Sequence, residues 1–240
     1  SGLGAQLNVM NKTLVNNALT GFLTLALLTG SALSLAQPLL VAEFSKGDLS
    51  GWKDKSFEGE TQYEITMDEE QLQVLKAHSQ GSASGLGKEV TIDLKQTPFI
   101  NWSWRIDNNL SQFDETTKDG DDYAARLYVV KDGGWRVWKT RALNYVWSSN
   151  QKAGSSWDNA FVGDKAKMLA IRGQEHPIKK WVREKRNVYE DLITLFGDQG
   201  SDEANLEAYR YLDAVALMTD TDNSAGTATA FYGDIYFTEH

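Results

Sequence analysis

The chain has 240 residues, no cysteine, and 33 acidic against 24 basic residues, for a net charge of −9. An acidic balance of this size argues against nucleic acid and anionic membrane surfaces as partners, because both require a basic face. Without cysteine there is no thiolate metal centre, cysteine nucleophile or lipid-modified amino terminus, and a chain this long can build a core without disulfides.

Met10-Asn11-Lys12 gives a charged start, Ala18 to Leu28 a short apolar run, and Ser34-Leu35-Ala36 a small-residue cleavage pattern. Together they predict a secretory signal peptide cut before Gln37, with residues 1–9 lying upstream of it. The apolar run is shorter than the roughly 20 residues a spanning helix needs, so no stable membrane insertion is expected after cleavage. Residues 37–240 have a length suited to one domain. Losing the single lysine of residues 1–36 takes the net charge from −9 to −10. The expected location is periplasmic or secreted.

Eight Trp, nine Tyr and nine Phe against three Pro suit β-structure with aromatic faces. Alternation then marks the strands in order. Tyr63, Ile65 and Met67 share one face of "TQYEITM", and Val90, Ile92 and Leu94 share one face of "VTIDL". In "FINWSWRI", Ile100, Trp102, Trp104 and Ile106 oppose Asn101, Ser103 and Arg105. "YAARLYVV" ends at Asp132-Gly133-Gly134, a hairpin signal leading into "WRVWKTRALNYVWS". Further strands read at "AKMLAIR", "YLDAVALM" and "ATAFYGDIYF". One segment breaks the pattern. Asn187, with Glu190 three residues on and Gly197 beyond, predicts a capped helix over Val188 to Phe196, and the acidic stretch after it reads as loop-like with room for a short helical turn. Closely spaced strands without a βαβ rhythm predict an all-β fold, an antiparallel jelly-roll-like β-sandwich with one short helix covering a sheet.

Several ordered motifs carry a resemblance: "FSKGDLSGW", "GSASGLGKEV", "WSWRI", "DGDDYAARLYVV", "LNYVWSS", "WVREKRNVYEDLITLFG" and "ALMTDTDNSAGTATAFYGDIYF". In these the chain resembles the secreted bacterial family called domain of unknown function 3047 (DUF3047), from about Phe44 to Phe237. The resemblance implies a secreted or periplasmic single domain with no assigned reaction, and it hands over no catalytic residue. The opening F-x-x-G-x-L-x-G-W and the closing "GDIYF" are also similar to the ends of sugar-binding and sugar-processing β-sandwiches, a likeness of fold rather than of site.

Two acidic clusters stand beside strands. Asp220, Asp222 and Asn223 offer three oxygen donors of the kind Ca²⁺ prefers, although the EF-hand spacing is not met. The same residues could form a plain turn or touch a substrate. A structural Ca²⁺ on Asp220 and Asp222 would tie the last two strands together; Asp121 and Asp122 form the second cluster and could join the first if the two loops meet. Paired carboxylates also serve glycoside hydrolysis, but the E-x-D-x-E strand motif is missing. The outward sides of the aromatic strands carry Asn101, Arg105, Arg126, Asn144, Trp181 and Arg183, which would form a ligand-binding face if those strands are neighbours. His78, His176 and His240 do not cluster, and no nucleophile elbow or zinc motif is present.

These observations point to a polysaccharide-binding module. One alternative is a lyase acting on an acidic glycan, with Arg105 or Arg126 neutralising a uronate and Tyr145 or His78 moving the proton. Another is a structural or interaction protein of the cell envelope.

Overall fold

The computed structural model describes residues 36–70, 72–110, 113–134 and 139–240. Residues 1–35 of the expected signal peptide, and Trp135 to Trp138 at the start of the strand expected after the hairpin, lie outside the described residues.

Fourteen strands, numbered along the chain, form two seven-stranded sheets among the described residues. The first sheet holds β1 (Leu39–Ala42), β3 (Gln62–Met67), β4 (Gln73–Gln80), β6 (Phe99–Ile106), β11 (Val182–Asn187), β13 (Thr227–Tyr232) and β14 (Ile235–Thr238). Its order is β1-β14-β6-β13-β4-β3, with β11 on the other edge of β6. The second holds β2 (Trp52–Glu58), β5 (Ala83–Asp93), β7 (Ala125–Lys131), β8 (Arg141–Trp147), β9 (Ser156–Asn159), β10 (Gly163–Arg172) and β12 (Tyr211–Asp220) in the order β2-β5-β12-β7-β8-β10-β9. Thus β12 lies between β5 and β7, while β13 and β14 run end to end beside β6.

Strand alternation builds the core. Ile100, Trp102, Trp104 and Ile106 face inward from the first sheet, and Leu127, Val129, Leu143, Tyr145, Trp147, Val215 and Leu217 answer from the second. Trp102 stacks on Tyr145 with ring centroids 5.4 Å apart, and Trp104 packs on Trp147 at 5.7 Å. Each such aromatic pair contributes about 0.5–1.5 kcal/mol beyond the area it buries, adding to the apolar contact between the layers.

Helix α1 (Val188–Phe196) starts where Asn187 accepts the Glu190 N–H at 3.2 Å, and it ends at Gly197. It sets Val188 and Leu192 into the core, and its Asp191 accepts the Tyr145 hydroxyl at 2.8 Å. Among the described residues no helix is long and apolar enough to cross a membrane.

Two features depart from the sequence reading. The stretch expected as loop-like with at most a short helical turn contains an eight-residue helix, α2 (Asp202–Tyr209), capped by Ser201 accepting from the Ala204 N–H at 3.2 Å. It buries only Asn205 and Tyr209, so it lacks the apolar stripe that reveals most helices. The sheets are also not wholly antiparallel, because β10 pairs with β8 in parallel. The chain leaves β8, makes β9 outside the position of β10, and returns between them, which reverses the direction a simple hairpin would give.

Candidate functional site

The outer face of the second sheet carries a cleft of about 380 Å³. Because Leu127 points into the core, its neighbours Arg126 and Tyr128 point out of β7. The strand register then sets Asn144 of β8 opposite Tyr128, and Met218 of β12 opposite Arg126. Around them the floor is low: Ala83, Ala142 and Ala166 come from β5, β8 and β10. Gly85 lies directly under the tyrosine, and a Cβ there would stand 3.1 Å from the Tyr128 hydroxyl. Small residues on three strands therefore make a depression out of what would otherwise be a flat sheet.

The walls are apolar. Phe57 of β2 rises on one side, and Phe161 and Val162 rise from the turn between β9 and β10. They are 57%, 53% and 54% exposed, so they present carbon to solvent at the cleft and not to the core. Asn159 builds that turn by accepting the N–H groups of Phe161 and Val162 at 3.0 and 3.1 Å. Its amide nitrogen donates to Asp121 at 3.2 and 3.1 Å.

Charge in the floor is dense and mostly enclosed. The Arg126 guanidinium lies over the Tyr123 ring at 4.9 Å and donates to Oδ2 of buried Asp220 at 2.8 Å. The Arg126 Nε and the Asp220 Oδ1 are buried without a hydrogen-bond partner. Burial drives the Asp220 carboxyl well above the ordinary carboxylate range, against the pull of Arg126. Asp121 is raised chiefly by burial, and Asp222 by burial and then by its neighbour Asp122. One oxygen from each of Asp122, Asp220 and Asp222 lies within 4.8 Å of the others. Beneath the loop that delivers Asp121 and Asp122, Glu115 accepts the Ser149 N–H and the Ser148 hydroxyl, each at 2.5 Å. Burial pushes Glu115 up to about 7.

The family described as protein of unknown function (DUF3047) matches residues 50–236. The chain belongs to this DUF3047 family. No curated protein matches the sequence. Among solved structures, this DUF3047 chain is similar to the family 11 carbohydrate-binding module of a cellulosomal cellulase of Clostridium thermocellum. The two are 9% identical over 84% of this chain and 94% of that one, with a TM-score of 0.45. A family 11 module from the same organism, in complex with a β-1,3-1,4-mixed-linked tetrasaccharide, is 10% identical over 84% and 95% of the chains, with a TM-score of 0.43. The enzymatically active domain of bacteriophage CBA120 tailspike protein 4 is 11% identical over 82% of this chain and 21% of that one, with a TM-score of 0.40.

The six residues expected on one face of the DUF3047 chain divide between two. Arg126 and Asn144 line the cleft just described. Asn101, Trp181 and Arg183 line a different depression, of about 790 Å³, on the outer face of the first sheet, across the core. Arg105 stands beside them, 8% exposed, its guanidinium 4.2 Å from the Phe231 ring and 5.8 Å from Trp181 and bonded to Asp107 at 3.1 Å. The physical reason is that β6 and β7 follow one another in the chain but belong to different sheets. Neither arginine is a free fork for a carboxylate, because Arg105 is held by Asp107 and Arg126 by Asp220.

The proton-moving roles considered for Tyr145 and His78 do not fit either. Tyr145 is in the core, and the His78 ring bonds Thr229 at 2.9 Å on the first sheet. In the acidic cluster, Asp122 joins Asp220 and Asp222, and the Asn223 backbone N–H donates to Asp122 at 3.1 Å. Phe57, Glu115, Asn159, Phe161 and Val162 were not foreseen. A readable signal existed for two of them: Phe161-Val162 are apolar residues between the turn formers Asn159 and Gly163.

Proposed function

We propose that this protein binds a glycan, neutral or amino-bearing, in the cleft on the outer face of the second sheet. The observation that carries the reading is exposed Phe57 and Phe161 standing over a floor that presents Tyr128 and Asn144. Aromatic rings cover the apolar faces of sugar rings, while phenol and amide groups exchange hydrogen bonds with sugar hydroxyls. The cation in this lining, Arg126, is already held by Asp220, so the cleft offers no free partner to a uronate or a sulfated sugar. In this reading residues 1–36 act as a signal peptide, and the domain works in the periplasm or outside the cell, where polysaccharide is met.

The test is calorimetric titration against neutral glucans, xylans and mannans, chitosan oligosaccharides, and acidic polygalacturonate and alginate. Binding is expected from the neutral or amino-bearing group and not from the acidic one. The double variant Phe57→Ala/Phe161→Ala should melt like wild type and lose at least about tenfold in affinity, or roughly 1.4 kcal/mol. Failure of every neutral and amino-bearing glycan to bind, or wild-type affinity in the double variant, would overturn the reading.

A further inference from the structure

We propose that Asp122, Asp220 and Asp222 form a binding site for a divalent cation, with Ca²⁺ the ion that suits their chemistry. One carboxylate oxygen from each lies within 4.8 Å of the other two. Two oxygens each about 2.4 Å from a shared Ca²⁺ stand at most about 4.8 Å apart, so the three are near enough to draw in around one ion. The three residues come from two distant segments held together by backbone. The Asp220 N–H donates to the Tyr123 carbonyl at 3.1 Å, and Asp122 accepts the N–H groups of Asn223 and Ser224 at 3.1 and 2.6 Å. These bonds fix the geometry and leave three carboxyl groups facing one another.

A separate observation points to a cation. Asp220 is 2% exposed, and no donor reaches its Oδ1, although Oδ2 is held by Arg126. A buried carboxylate oxygen surrounded by other acceptors is stabilised only by a positive ion or a proton. Arg126 supplies one positive charge to the three carboxylates, so a divalent ion brings the group to neutrality. The ligands are all hard oxygens, with no His or Cys among them, which favours Ca²⁺ over zinc. Asp222 is only partly buried, which leaves the site open to water for the rest of a six- to eight-oxygen shell. Such an ion would tie the turn after β12 to the loop ahead of β7. It does not depend on the glycan reading.

The experiment uses purified protein stripped with a chelator, dialysed, and titrated with CaCl₂ by calorimetry and by thermal melting. One ion per chain and a melting temperature that climbs with Ca²⁺ concentration are expected, because the ion binds only the folded state. Asp222→Asn, at the least buried of the three positions, should weaken Ca²⁺ binding more than tenfold and flatten the climb. Asp119→Asn, in the same loop but outside the trio, should behave as wild type. A wild-type melt unmoved by millimolar Ca²⁺, or an Asp222→Asn protein that responds like wild type, would overturn the proposal. If Asp222→Asn fails to fold, the wild-type titration decides, and any stoichiometry other than one ion per chain counts against the site. The Phe57→Ala/Phe161→Ala protein should keep its full Ca²⁺ response, so loss of glycan binding and loss of cation binding are read separately.

Discussion

Glu115 should make the stability of this fold depend on pH in the direction opposite to an ordinary salt-bridged acid. Its side chain is 1% exposed, and burial pushes its carboxyl from 4.5 up to about 7, outweighing the donors from Ser148, Ser149 and Asn150. The folded chain therefore keeps a proton that the unfolded chain releases between pH 4.5 and 7. The sign follows: the stabilisation is complete below about 4.5, declines as the pH rises, and is gone above about 7. At about 1.4 kcal/mol per pH unit the interval amounts to roughly 3 kcal/mol, or about 6–12 °C in melting temperature for a chain of this size. Glu115→Gln stays neutral at every pH and keeps an oxygen for the Ser149 N–H. Thermal melts of both proteins from pH 4.5 to 7.5 cancel the titration of all other acids. Wild type should match the variant at the acid end and fall behind it by roughly 3 kcal/mol at the neutral end. A difference that stays constant across the range would mean that Glu115 is ionised in the fold throughout, and the argument from burial would fail.

Gly120 sits where a Cβ would come within 2.2 Å of the Asp114 carbonyl oxygen, with further backbone atoms of Asp114 at 2.5 and 2.8 Å, so Gly120→Ala must displace the loop. A loss of about 1–3 kcal/mol is expected in urea unfolding, and an unchanged midpoint would show that the loop yields freely. For export, amino-terminal sequencing of protein recovered from the periplasm or medium should begin at Gln37. Recovery of an intact Ala18 to Leu28 segment from membranes would refute that expectation.

Local features were legible in the sequence, and the joins between distant segments were not. The alternation of Ile100, Trp102, Trp104 and Ile106 placed β6 and its inward face correctly, because a period of two has only one physical meaning in a half-buried strand. Asn187 and Gly197 fixed α1 to the residue, since both ends of that helix are closed by local chemistry. Alternation separates inside from outside but carries no information about which sheet a strand joins. That is why Arg105 and Arg126, each correctly read as outward, were grouped on one face and stand on two. The parallel pairing of β8 and β10 was hidden for the same reason, being a property of the path and not of either strand. Glu115 left no trace at all, because an acid in a polar loop looks the same whether it ends in solvent or under Ser148.

The strand order also has a consequence in time. The centre of the second sheet is filled by β12, which begins about 80 residues after β7 ends, and the middle of the first sheet waits for β13 and β14. As the chain leaves the ribosome, β6 and β7 are made before any strand that will lie beside them, and β4 and β5 find only their earlier neighbours β3 and β2, leaving their other edges open. Each exposes a row of unpaired backbone groups until the last quarter of the chain appears. Neither half can be finished as an independent unit, so assembly of the two layers is coupled and dominated by long-range closure, which makes it slow. The nascent protein therefore spends its synthesis with sticky edges on display, and a crowded cell must shield those edges until the final strands slot in.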